Sequence, residues 1–119
     1  MGDLTQHFNR AEFACGDYCG YDAVNLAFVN QLQVARRLSD VPYRINSGCR
    51  CLTHNAVVGG VRDSAHLVGK AADIACRSSR ARYQIVLGLY GAGFTRIKLY
   101  KTWIHVDADA TKDQEVLVL

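Results

Sequence analysis

The residues best suited to chemistry are His66, Asp73 and His105. In the stretch Ser64-Ala65-His66-Leu67-Val68-Gly69-Lys70-Ala71-Ala72-Asp73 a loop histidine precedes a strand carboxylate, and Ile104-His105-Val106-Asp107 supplies a second imidazole from a later strand. Two imidazoles and one carboxylate make a three-ligand set for zinc that leaves the fourth tetrahedral position open, as in catalytic rather than closed structural sites. A zinc ion held this way lowers the pKa of a water toward neutrality and polarises a carbonyl, which is the chemistry of amide or ester hydrolysis. Spacing alone leaves a second reading open, because a histidine beside apolar residues is also found as a packed, hydrogen-bonded core residue.

The elements that must position these residues follow from periodicity and glycine placement. From Asp22 to Leu38 the apolar Leu26, Val29 and Leu32 recur at helical spacing, with Asp22 as the expected N-cap and Val41-Pro42 as the stop. Tyr43 to Asn46 alternates like a short strand leading into Ser47-Gly48. Cys49 to Lys70 is too polar and too interrupted for one regular element, and loops of that length in compact domains are usually functional or disordered. Ala71 to Ala75 is predicted to be a buried strand. Ser78 or Ser79 caps a helix through Ala81, Ile85 and Leu89, closed at Gly91 or Gly93. Thr95–Tyr100 and Trp103–Asp107 form a hairpin turning at Lys101-Thr102, and Glu115–Leu119 adds a further strand. Without βαβ alternation, this order predicts an α+β fold: a small, mostly antiparallel sheet with helices packed on one side.

The chain has 119 residues, half of them hydrophobic (50%) and 21% charged, the composition of one globular domain spanning 1–119. No run reaches the ~18 apolar residues of a membrane helix, and the richest, Ile85 to Phe94, is broken by glycines. The start, Met1-Gly2-Asp3-Leu4, carries neither a basic nor an apolar export region, so the expected product is cytosolic. A net charge of +3, with the basic residues scattered, mildly favours an anionic polymer and gives no stripe for nucleic acid. The five cysteines are an odd number, which argues against a complete disulfide framework and for free thiols. A structural zinc site on Cys15-x3-Cys19 and Cys49-x-Cys51 is the alternative, although neither spacing is that of a C-x2-C knuckle.

Around the histidines the sequence resembles the M15 peptidases, the zinc D-Ala-D-Ala carboxypeptidases and related phage endolysins that cut peptidoglycan peptides. The resemblance runs in order through Phe8-x4-Phe13, Ser47-Gly48-Cys49-Arg50, His54-Asn55-Ala56-Val57-Val58-Gly59-Gly60, Ser64-x-His66-x2-Gly69-x-Ala71-x-Asp73-Ile74 and His105-Val106-Asp107. It implies a hedgehog/DD-peptidase-like fold, Zn2+ as cofactor and His66, Asp73 and His105 as its ligands. It also implies that Arg50 binds the substrate carbonyl or carboxylate and stabilises the oxyanion, and that Ser64 binds substrate backbone or orients its loop. Gly59, Gly60 and Gly69 are read as backbone requirements of that loop.

The family places an Asp or Glu three residues before its last histidine ligand, and here that position is Thr102, which is no base. Asp107 is the expected substitute, because residues two apart on a strand share a face. Its rival role is to accept the N–H of a ligand imidazole. Asp109 and His54 are weaker acid/base candidates, and Trp103 is a candidate wall of the site.

The resulting expectation is a zinc peptidase of peptidoglycan stem peptides, monomeric, without nucleic-acid partners or membrane insertion. It would be made in the bacterial cytoplasm and reach the wall through a holin or inside a virion. A catalytically silent zinc-binding virion or wall-binding domain is the alternative that the Thr102 departure motivates.

Overall fold

A computed structural model describes residues 2–119. The fold is α+β, with five strands in the order β1-β2-β4-β3-β5: β1 (Ile45–Ser47), β2 (Ala71–Ala75), β3 (Arg96–Leu99), β4 (Trp103–Asp107) and β5 (Glu115–Val118). Neighbouring strands run antiparallel except β5, which joins the edge parallel to β3. The mostly antiparallel sheet is therefore as predicted.

Alternation along the strands divides the sheet into two faces. Ala72 and Ile74 on β2, Ile97 on β3, and Ile104 and Val106 on β4 are all buried in the hydrophobic core. They pack there with Phe28, Val29, Leu32 and Ala35 of helix α1 (Leu26–Ser39) and Ile85 and Leu89 of α3 (Ser79–Gly91). At roughly 25 cal/mol per Å2 of apolar surface removed from water, this layer is the main source of stability. The opposite face carries the interleaved polar residues Asp73, Lys98, His105 and Asp107.

Helix α1 begins later than its periodicity suggests. The cap is Asn25, whose side chain accepts the Phe28 N–H at 2.9 Å, and not Asp22. The reason is tertiary: the Asn25 N–H donates to the Gly69 carbonyl at 2.9 Å, which keeps the preceding residues out of the helix. Ser78 caps α3 by accepting from the Ala81 N–H. After a first 3-10 turn, η1 (Arg10–Phe13), the stretch from Cys49 to Lys70 contains α2 (Leu52–Val57) and a second, η2 (Ala65–Val68), so it is a pair of short elements and not one long loop. Among the described residues no helix is long and apolar enough to cross a membrane.

Candidate metal centre

The sheet register does most of the assembly. Asp73 on β2 and His105 on β4 are Cα partners in an antiparallel ladder, so their side chains leave the same face side by side. His66 arrives from η2, immediately before β2. Gly69 ends η2 with φ +69°, and a Cβ there would lie 2.7 Å from the Ala23 carbonyl oxygen, so both conformation and space demand glycine. His66, Asp73 and His105 thus converge, each buried, with ligand atoms within 4.8 Å of one another.

The outer ring nitrogens are already committed. His66 Nδ1 lies 2.6 Å from the Gly48 carbonyl oxygen, which can only accept, so Nδ1 carries the proton. His105 Nε2 lies 2.7 Å from Asp107 Oδ2 and donates to it in the same way. The inner nitrogens, His66 Nε2 and His105 Nδ1, then face Asp73 Oδ1 at 3.3 Å and 3.0 Å. With neutral rings, two nitrogen lone pairs face one carboxylate oxygen, an arrangement that calls for a cation or a proton between them. Nitrogen, nitrogen and carboxylate oxygen form a donor set suited to a divalent ion such as zinc.

The protonation tendencies agree with this geometry. Burial pushes the Asp73 carboxyl up, but where a proton rather than a metal fills the space between these groups, hydrogen bonds from His105 and His66 and their charge outweigh it, leaving the carboxyl well below the usual carboxylate range. Burial alone would lower His105; its bonds to Asp107 and Asp73 more than compensate and raise it. Asp107 is likewise pushed up by burial, but His105, the Asp109 N–H and Arg96 bring it below its ordinary value.

Asp107 and His105 do share a strand face, as the sequence suggests. The carboxylate, however, sits behind the imidazole and not in front of it. Oδ2 takes the outer nitrogen of His105, while Oδ1 accepts from Arg96 Nε at 2.8 Å and from the Asp109 N–H at 3.0 Å. The carboxylate thus occupies the position of the rival role, accepting the N–H of His105 on one oxygen while Arg96 and the Asp109 N–H hold the other. Arg96, buried at the start of β3, was not singled out from sequence. Its signal was a charged residue in phase with Lys98 on the polar face of a strand.

Arg50 reaches the centre from the other side. Its guanidinium donates to Asp73 Oδ2 at 3.1 Å, to Ser47 Oγ at 3.2 Å and to Asn55 Oδ1 at 3.3 Å. Asn55 is held in turn by the Val61 carbonyl, and at Gly60 any Cβ would collide with the Asn55 side chain. Ser64 lines the same cavity, but its hydroxyl accepts the His66 N–H at 3.2 Å and so caps η2. That contact is a turn cap, which holds the short segment carrying His66.

A cavity of about 290 Å3 opens onto His66, Asp73 and His105, walled by Arg50, Lys98, Tyr100 and Trp103. Trp103 and Tyr100 stack with ring centroids 4.3 Å apart, forming the aromatic wall expected of Trp103. Thr102 lies in the β3–β4 turn, where its carbonyl accepts the Cys76 N–H. Asp109 binds Thr111 and Lys112, and His54 lies beside Gly16; neither lines this cavity.

A protein-family model described as Peptidase M15 matches residues 6–107, a span containing every residue of this centre. A comparison with curated proteins finds no match.

Proposed function

The chain belongs to the peptidase M15 family, and from that premise we propose that it is a zinc-dependent hydrolase of peptide bonds in bacterial peptidoglycan stem peptides. The observation carrying this reading is the convergence of ligand atoms from His66, Asp73 and His105, with each ring's outer nitrogen held by an acceptor behind it. Zinc bound there would supply a Lewis acid for the scissile carbonyl and acidify a water to a pKa of about 7.

The remaining work falls to the protein's own groups. Arg50 shares Asp73 with the imidazoles and presents fixed positive charge at the cavity, suited to a substrate carboxylate or a developing oxyanion. Lys98 and Tyr100 border the same cavity and are the groups suited to return a proton to the leaving amine. Burial, with Asp73 nearby, raises the Tyr100 hydroxyl above its ordinary pKa and keeps it protonated at neutral pH. A small cavity with two cations and an aromatic wall suits a short peptide carrying carboxylates, which is what stem peptides are. A phage or prophage lysis protein, delivered to the wall by a holin or in a virion, is the setting that fits this substrate.

A second reading, a zinc-holding domain without activity, draws support from one feature: Asp73 is the only carboxylate lining the cavity among the described residues. Digestion of purified peptidoglycan with and without a chelator, followed by mass spectrometry of the muropeptides, separates the two. Chelator-sensitive products that vanish in His66→Ala support the peptidase. A protein that binds one zinc at this centre and leaves the muropeptides unchanged supports the silent domain.

A further inference from the structure

We propose that Cys15, Cys19 and Cys51, with Asp17 as the fourth ligand, form a second and structural zinc site, separate from the centre of His66, Asp73 and His105. Their ligand atoms all lie within 4.8 Å of one another, although Cys51 comes from a segment far along the chain from the other three. Cys51 Sγ is 3.1 Å from Asp17 Oδ2, and the second Asp17 oxygen accepts the Cys19 N–H at 3.0 Å. All five cysteines are free.

Three features separate this cluster from a chance meeting of thiols. First, it leaves out Cys49 and Cys76, which belong to the apolar core cluster; of its own cysteines Cys15 is buried outside that cluster, Cys51 is half-buried and Cys19 is exposed. Second, backbone donors already point at the sulfurs. The Cys51 N–H approaches Cys15 Sγ at 3.4 Å and the His54 N–H approaches Cys51 Sγ at 3.3 Å, contacts that stabilise thiolate charge. Third, the chain folds back on itself to bring Cys19 round. Tyr18, a non-glycine residue, takes φ +60°, and Gly20 takes φ +90°. Three thiolates and one carboxylate complete a closed tetrahedral set, soft enough to select zinc over magnesium or calcium. The expected pairing of Cys15-x3-Cys19 with Cys49-x-Cys51 is thereby revised: Asp17 occupies the place assigned to Cys49, whose side chain points into the core.

Such an ion has a mechanical consequence. Cys51 follows Arg50 directly and caps α2, the helix that carries Asn55 against the Arg50 guanidinium. The N-terminal arm already holds this segment through the Cys49 N–H, which donates to the Phe13 carbonyl at 2.8 Å. A metal at the cysteines would lock the arm to the loop that presents Arg50.

The test is cobalt(II) substitution of the full chain, purified under reducing conditions, because thiolate-to-cobalt charge transfer reports sulfur ligation whether or not the protein has activity. The expected result is a near-ultraviolet thiolate band in the wild type and in His66→Ala. In Cys51→Ser the band is lost or cobalt affinity falls at least tenfold. Zinc content should be two equivalents in the wild type and one in either variant. Cys19→Ala, at an exposed position, repeats the measurement should Cys51→Ser fail to fold. The proposal is overturned by a wild type without a thiolate band at saturating cobalt, by a band of unchanged affinity in Cys19→Ala, or by an intact mass two hydrogens light, which would mean a disulfide.

Discussion

Replacing Asp107 with Asn separates the two roles that a carboxylate beside His105 can play. The change is isosteric but leaves only one acceptor oxygen. In the native protein Oδ1 takes two donors, Arg96 Nε and the Asp109 N–H, while Oδ2 takes one, His105 Nε2. The amide oxygen is therefore expected on the Arg96 side, where two donors need it, and the amide NH2 turns to His105. A donor facing Nε2 forces the imidazole proton onto Nδ1, the nitrogen that looks at Asp73. That tautomer has no lone pair for a metal. Restoring the native tautomer leaves two donors opposed, a mismatch costing about 1–3 kcal/mol. At 1.4 kcal/mol per decade, zinc affinity should fall roughly 10–100-fold, the range typical of lost partners behind metal-bound histidines. Competition against a chromophoric chelator measures the affinity directly, and activity should recover as zinc is raised. Unchanged zinc affinity together with a lost turnover rate would refute the argument and return Asp107 to the role of base.

Three further outcomes follow from the same geometry. Arg50→Ala should lower peptide hydrolysis about 100–1,000-fold while zinc content stays constant, as for loss of one oxyanion donor; muropeptide release and metal analysis together check it. Gly69→Ala should destabilise the protein by about 1–3 kcal/mol, since φ +69° and the Ala23 carbonyl both oppose a Cβ; chemical denaturation measures this. The metal-free protein should be most stable between about pH 4 and 6.5. Asp73 and Asp107 lie below their ordinary 3.8, so their contribution is present above that pH and lost as pH falls through the folded values. His105 lies above its ordinary 6.5, so its contribution is complete below that pH and lost as pH rises through the folded value. Zinc should shift the optimum upward, because it replaces the His105 proton; thermal melts across pH with and without zinc test both statements.

What the amino-acid order decides alone is local or periodic. The strand at Ala71–Ala75, the hairpin turning at Lys101-Thr102 and the Ser78 cap follow from alternation and side-chain chemistry within a few residues. The convergence of His66, Asp73 and His105 was also legible, because a distinctive set of spacings identifies the family. What remained hidden depends on the third dimension. The start of α1 moved to Asn25 because a carbonyl at Gly69 claims its N–H, a contact no local pattern encodes. A strand period of two puts Asp107 on the face of His105 but does not say which ring nitrogen it meets; that was decided when β3 laid Arg96 against the other carboxylate oxygen. The cysteines were countable but not assignable, since only folding turns Cys49 into the core and brings Cys51 to Cys15 and Asp17. Sequence spacing constrains which side chains share an element, whereas the direction of a ring or a thiol is fixed by whatever packs behind it.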